Sequence, residues 1–404
     1  MRDPSRVRVP GPLEPYAEDF RSQLAERGYS PDAAAVQLQL MGHLSGWLAG
    51  RGLDAAGLTA ALVDAYLAER RSLGCASHWT RRALAPLLGF LQRQQVAPAE
   101  VTSGPAGPVE ALLGRYARWM AAERGLAETT IRRNVELARP FVAGWERAGR
   151  VQLEPLRAAD VIAFVVARCH DARGGTAPRM VTALRSLLRF LHVDGLIDQP
   201  LATAVPAVAG WKLTGLPTAL QADQVAALLA SCDRATAVGR RDLAILTVLV
   251  RLGLRAGEAA ALRLDDIDWR RGELTIHGKG NRHDRLPLPA DVGQAIVAWL
   301  TAGRPDTTAG GREVFMRVRA PHEALTRGAV TQVVARAAQR AGLGPIYAHR
   351  LRHTAATGML RAGGSLPEIG QVLRHRHALT TAIYAKVDLD ALRPLARRWP
   401  RGAA

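Results

Sequence analysis

The chain has 404 residues, with 54 Lys and Arg against 36 Asp and Glu, a formal net charge of +18 and a pI near 11.1. That length accommodates two to three domains with cores of their own, and the charge favours a polyanionic partner, nucleic acid first, although an Ala-, Arg- and Gly-rich coding bias would raise it too. Three scattered cysteines, Cys75, Cys169 and Cys232, exclude a disulfide framework or C-x-x-C zinc site and fit a reducing cytoplasm; with no apolar h-region at the N-terminus and no membrane-length apolar run, neither a signal peptide nor a membrane span is expected.

Residues 1–15 are rich in Pro and Arg and are expected to be disordered. From about Tyr16 to Gln95, apolar residues fall at helical spacing through Leu44-Trp47-Leu48, Leu62-Tyr66-Leu67 and Leu84-Leu87-Leu88-Leu91. Val101–Pro108, with Ser, Gly and Pro, reads as a linker, and a second helical region runs from Val109 to about Ala204. The two regions echo each other. Ala25-Glu26-Arg27-Gly28 recurs as Ala122-Glu123-Arg124-Gly125, Gly46-Trp47 as Gly144-Trp145, and Leu87-Leu88-Gly89-Phe90-Leu91 as Leu187-Leu188-Arg189-Phe190-Leu191, the offset growing from 97 to 100 residues. Three ordered matches predict a duplicated helical domain, over 1–102 and 103–205, against chance similarity of two Leu/Ala/Arg-rich bundles. Pro206–Pro217, carrying Gly210, Trp211, Lys212 and Gly215, then links to a domain over 218–404.

In that domain Gln221–Ala230 and Arg241–Leu252 read as helices, the latter buried, and Thr326–Ala341 as another with Arg336 and Arg340 on one side. Glu273–His277 and Asp284–Leu288 read as strands, with Glu313–Met316 a candidate third. Between the first two, Lys279 stands between Gly278 and Gly280 at an expected hairpin tip. It is one of only three lysines, with Lys212 and Lys386, among 51 arginines. A lysine can give up a proton and an arginine cannot, so proton donation is one role the surrounding arginines could not fill.

The densest chemistry lies between His349 and Tyr384. His349, Arg352 and His353 stand at i, i+3 and i+4, on one face of a helix that Gly363-Gly364 ends. Ser365, with Pro367 and Glu368 behind it, opens a second helix that delivers His375 at its end. Thr380 or Thr381 can cap a third that begins just before Tyr384. A Tyr hydroxyl, with a pKa of about 10, is a poor nucleophile until cations and a base favour its ionised form. Its convergence with Arg352 and the histidines therefore suggests phosphoryl chemistry, the bland readings being a core aromatic and surface ion pairs. Arg350 follows His349, so the Glu of an H-E-x-x-H zinc motif is absent, and Gly278-Lys279-Gly280 lacks P-loop spacing.

The ordered set Arg255, Lys279, His349-x-x-Arg352, His375 and Tyr384, spanning roughly residues 216–404, resembles the tyrosine recombinases of the phage-integrase family. The tail Ala385-Lys386-Val387-Asp388-Leu389-Asp390-Ala391-Leu392 is similar to integrases of bacterial mobile elements. The resemblance implies a mainly α fold with a small β-sheet, in which helical core-binding-type domains precede a tyrosine recombinase catalytic domain and the flanking domains close on duplex DNA as a clamp. It implies cleavage and rejoining of DNA strands through a 3′-phosphotyrosine, with no metal or other cofactor, by a cytoplasmic, membrane-free protein that forms a homo-oligomer, a tetramer, on double-stranded DNA. By the same resemblance Tyr384 is the nucleophile, Arg255 and Arg352 grip the scissile phosphate, and Lys279 protonates the departing 5′ oxygen. His349 accepts the tyrosyl proton and His375 donates to the phosphate, whereas His353 and His377 read as structural. Glu258 resembles the buried acid that orients these bases and could equally be a surface Glu. Thr129, Arg132 and Arg133 look like the helix start that faces the DNA backbone, and Lys212, Arg282 and Arg374 are further candidate DNA contacts. Arg374 also departs from the family, where glycine is usual. A type IB-like topoisomerase and a non-catalytic DNA-binding protein of the same fold are the alternatives. The duplicated domain and small size speak against the first, and the intact catalytic set against the second.

Overall fold

The computed structural model describes residues 3–74, 80–98, 107–171, 176–207, 219–278, 282–306, 311–375 and 377–384, the side chains of 169–171, 282, 378 and 379 being left aside. Met1–Ala97 and Gly215–Ala404 together form one compact unit, and Pro98–Thr214 forms another.

The first helical segment, where the sequence reading places one copy of a repeat, holds α1 (Ala17–Glu26), α2 (Pro31–Ala49), α3 (Ala60–Ser72) and α4 (Arg81–Arg93). Ser30, Thr59 and Thr80 start the last three, each side chain accepting from an N–H three residues on, a cap that typically contributes about 1 kcal/mol. The stretch before α1 is ordered, contrary to its composition. Val9 and Leu13 are buried in the segment's core, and the Leu13 N–H donates to Ser45 Oγ at 3.0 Å. Two apolar residues and one buried acceptor are enough to pin a Pro-rich strap.

The second segment holds α5 (Pro108–Ala122), α6 (Glu128–Ala143), α7 (Ala158–Asp171) and α8 (Thr176–Val193). A hairpin of β1 (Glu146–Arg147) and β2 (Arg150–Val151) follows α6, turning at Ala148 and Gly149 with φ of 49° and 72°. Two-residue strands carry no alternation, so periodicity passes over them. Two of the three sequence echoes fall at matching places: the Ala-Glu-Arg-Gly turns end α1 and α5, and the Leu/Phe segments bury themselves in α4 and α8. The third does not, because Gly46 lies inside α2 whereas Gly144 caps α6.

The remainder comprises α9 (Ala222–Ala230), α10 (Ala237–Leu252), α11 (Ala256–Ala260), β3 (Ile267–Asp268), β4 (Glu273–Gly278), β5 (Arg282–Pro287), α12 (Ala290–Ala302), α13 (Arg327–Arg340), α14 (Ala348–Arg361), α15 (Leu366–Val372) and α16 (Ala378–Ala382). Ala244–Val250 of α10 are buried without a break, which makes this the central helix, wrapped by α12, α13 and α14. It starts four residues before Arg241, because Thr236 caps it through the Gly239 N–H. The sheet is antiparallel in the order β3-β4-β5, with Leu274, Ile276 and Leu286 facing the core. Its third strand is Ile267–Asp268 and not Glu313–Met316, where only isolated bridges form, Arg263 to Glu313 and Met316 to Ala324. Among the described residues no helix is long and apolar enough to cross a membrane.

Candidate active site

The site begins with an arginine inside an apolar stripe. Ala348, Leu351, Ala355 and Ala356 give α14 its buried face, and Arg352, in the middle of that face, is 2% exposed. A cation can lie there only if its donors are met. Nη1 donates to the Gly253 carbonyl at 2.6 Å and Nη2 to the Leu373 carbonyl. Those carbonyls close α10 and α15, so the guanidinium also sits at the negative ends of two helix dipoles. Burial, then Arg255, lowers its pKa to about 10, which leaves it cationic at neutral pH. Gly253 makes the junction possible: its φ is 61°, and a Cβ there would lie 2.6 Å from Leu373 Cδ2.

Ser365 and Glu368 cap α15 reciprocally, as the sequence predicts, Ser365 N–H reaching Glu368 Oε2 at 2.8 Å. Its other end is a Schellman turn. Arg374 N–H donates to the Gln371 carbonyl and His375 N–H to the Gly370 carbonyl, both at 2.9 Å, with Arg374 left-handed at φ 56°. The Arg374 side chain is 6% exposed and turns inward, Nη2 lying 2.7 Å from Glu258 Oε2. The guanidinium expected to contact DNA is thus paired with an internal carboxylate at the edge of the cleft. The Glu258 side chain is 8% exposed, so it likewise does not lie on the helix surface. It accepts the Arg255 N–H at 2.8 Å and Arg255 Nη1 at 2.5 Å. Burial pushes the Glu258 carboxyl up, but Arg374 and the Arg255 hydrogen bonds outweigh it and hold the group below its ordinary value. Arg255 itself, at the start of α11, keeps a side chain 48% exposed.

Tyr384 follows α16 and is 2% exposed. The helix begins at Ala378, behind His377, so neither Thr380 nor Thr381 caps it. Thr381 instead holds His375, Oγ1 to Nδ1 at 2.6 Å, and the bare Gly370 lets the two helices approach, a Cβ there lying 2.9 Å from that same oxygen. The phenol Oη lies 2.9 Å from His353 Nδ1. His349, the expected proton acceptor, is one ring further away, its centroid 4.4 Å from that of His353. The signal for His353 was its position one turn beyond His349 on the same face. His375 stacks nearly parallel to Tyr384, centroids 6.4 Å apart. Burial lowers the pKa of all three histidines, followed by Arg352 and Arg255 for His349 and His375 and by His349 and Arg352 for His353, to about 4 for His353 and His375. Burial raises the Tyr384 pKa, against Arg352. At neutral pH the site therefore holds neutral imidazoles, a protonated phenol and fixed guanidinium charge.

A cleft of about 1440 Å³ opens over this cluster, lined by Arg255, His349, Arg352, Arg374, His375 and Thr381 among others. Arg327 and Tyr347, which the sequence reading did not select, also line it. The β4–β5 hairpin borders it through His277, whose Nε2 lies 2.5 Å from Asp266 Oδ1, and through Gly278. Lys279 and Lys212 lie outside the described residues, as does the Arg282 side chain. Thr129, Arg132 and Arg133 are exposed at the start of α6 in the other compact unit. Among the described residues no three His, Cys, Asp or Glu side chains group as metal ligands.

The model of the phage integrase family matches residues 218–390. A putative integrase/recombinase, y4rA of Sinorhizobium fredii, is 40% identical over 398 residues, covering 96% of this chain and 95% of that protein. The tyrosine recombinase XerD of Mycobacterium tuberculosis is 33% identical over 295 residues, 69% of this chain and 93% of that one. Among solved structures, the XerH site-specific recombinase bound to palindromic difH substrate in a post-cleavage complex is similar in fold, with a TM-score of 0.58 at 19% identity over 73% of this chain and 98% of that chain.

Proposed function

Because the chain belongs to the phage integrase family of tyrosine recombinases, enzymes that break and rejoin DNA at specific sites, we propose that it does so through a 3′-phosphotyrosine on Tyr384. The observation that carries this reading is the 2.9 Å hydrogen bond between Tyr384 Oη and a neutral His353, under a cleft lined by Arg255, Arg352, His349 and His375. The phenol oxygen attacks phosphorus, the bond to the 5′ oxygen breaks, and religation is the reverse. His353 takes the tyrosyl proton, with the His349 ring behind it, which moves that role one helical turn from its sequence assignment. Arg255 and the remaining N–H groups of Arg352 hold the non-bridging oxygens, where charge grows in the transition state. With Nδ1 engaged by the Thr381 hydroxyl, His375 presents Nε2–H as a donor. Lys279 protonates the leaving oxygen. Thr381 and Ala382 line the cleft while Tyr384 is buried behind them, so DNA entry has to bring phenol and phosphate together.

The two helical repeats are read as a duplicated core-binding module. The second meets the DNA backbone through Thr129, Arg132 and Arg133, and the protein works as a tetramer on DNA in the cytoplasm, in the service of a mobile element. The test of the chemistry is a nicked suicide substrate run on a denaturing gel. Tyr384→Phe binds the DNA as wild type does and forms no covalent adduct, and the wild-type adduct survives EDTA. An adduct that persists in Tyr384→Phe moves the nucleophile elsewhere, and an activity lost to EDTA and restored by Mg²⁺ replaces the mechanism with a metal-dependent one.

A further inference from the structure

Arg374 occupies a place where the backbone asks for glycine. Its φ of 56° is left-handed, a conformation that a residue with a Cβ adopts at a cost and glycine adopts freely. The side chain compensates by its contacts. Nη2 reaches Glu258 Oε2 at 2.7 Å and Nη1 the Val372 carbonyl at 2.9 Å. Apart from the side chain, the backbone carbonyl of Arg374 accepts Arg255 Nη2 at 3.4 Å. Glu258 has one negative charge and two arginines to serve. Left with Arg255 alone, the carboxylate would draw that guanidinium into a closed two-pronged pair. Oε2 accepts both the Arg255 N–H and Arg374 Nη2, so the Arg255 guanidinium meets Glu258 through Nη1 on Oε1 alone, and its Nη2 reaches the Arg374 backbone carbonyl.

We propose that Arg374 is a positioning residue, an internal clamp that shares Glu258 with Arg255 and so sets the Arg255 fork in register with His375, the very next residue on the same turn. The clamp rests on the reading of Arg255 as a phosphate ligand and extends it. It also explains how a helix end that glycine suits better can carry the longest cationic side chain: the charge is part of the site's frame.

The experiment is single-turnover cleavage of the suicide substrate at saturating DNA, with DNA affinity and melting temperature measured alongside, for Arg374→Gly, Arg374→Lys, Glu258→Gln and the Glu258→Gln/Arg374→Gly pair. Arg374→Gly slows cleavage about 10–100-fold, as loss of a supporting contact does, with DNA affinity and melting temperature held, because glycine suits the turn. Arg374→Lys recovers part of the rate, and the double variant is no slower than its slower parent, since both act through Arg255. An Arg374→Gly protein that cleaves at the wild-type rate, or whose loss lies wholly in DNA affinity or stability, overturns the clamp. Arg255→Ala in parallel separates the two ideas. If it is inactive beside a fully active Arg374→Gly, only the clamp falls; if both cleave as wild type, the role of Arg255 falls with it.

Discussion

The two four-helix segments, α1–α4 and α5–α8, close their last helices alike and load their first turns differently. Val96 N–H donates to the Leu91 carbonyl at 2.9 Å and Leu196 N–H to the Leu191 carbonyl at 2.8 Å, across left-handed Gln95 and Gly195. Each last helix sets one phenylalanine against a ring of its first helix, Phe90 at 5.1 Å from Phe20 and Phe190 at 5.5 Å from Tyr116. The Ala-Glu-Arg-Gly turns, however, meet different surroundings. Gly28 packs against His322, whose N–H donates to the Arg27 carbonyl at 3.3 Å, and a Cβ there would overlap the imidazole. Gly125 faces open space. One glycine answers only to the backbone, the other to the backbone and a neighbour. A repeated motif can thus be a helix stop in one copy and a contact surface in the other.

The largest effects come from the rings. Phe90→Ala and Phe190→Ala each remove about 3–5 kcal/mol from their segment. Hydrogen exchange places the damage: Phe90→Ala loosens the unit of Met1–Ala97 and Gly215–Ala404, Phe190→Ala that of Pro98–Thr214. If the Phe90→Ala effect stops at Ala97, the first segment is energetically separate from the catalytic part. Next come the turns. Gly125→Ala costs about 1–2 kcal/mol for its left-handed backbone, and Gly28→Ala costs more and speeds exchange around residues 317–323, an excess that His322→Ala in the same chain removes. Equal losses would make the Gly28 contact immaterial. Smallest is the relief of strain at the first helix stop, where Gln95→Gly gains about 0.5–1 kcal/mol, while Gly195→Gln loses as much as Gly125→Ala for the same left-handed backbone. Thermal melts that move in the same direction for both would break the equivalence of the two ends.

Much of the catalytic part is legible in the chain because its signals are local. The Ser365–Glu368 box, the Gly363 stop and the β4–β5 hairpin each depend on a few adjacent residues. What stays hidden depends on a distant partner. Arg374 reads as an exposed cation until Glu258, far off in sequence, is brought to 2.7 Å. His353 reads as structural until the fold carries Tyr384 to its Nδ1. Val9 and Leu13 sit among prolines and arginines that dilute any periodicity, and their burial depends on α1 and α2 being in place. Strand β3 has two residues, too few for a pattern, and is defined by its neighbour.

The two arginines set over the cleft differ in what their removal would measure. Arg352 is a crossbeam, one planar fork spanning the carbonyl ends of α10 and α15. A lysine keeps the charge but not the fork, so Arg352→Lys orphans a carbonyl in a dry junction at about 1–3 kcal/mol before any DNA arrives. An inactive Arg352 variant therefore reports architecture and chemistry in a single number. Arg255, half in solvent, can be exchanged without opening the core. Of the pair, it is the one whose loss still leaves Glu258 a partner in Arg374, so its kinetics carry less of the architecture.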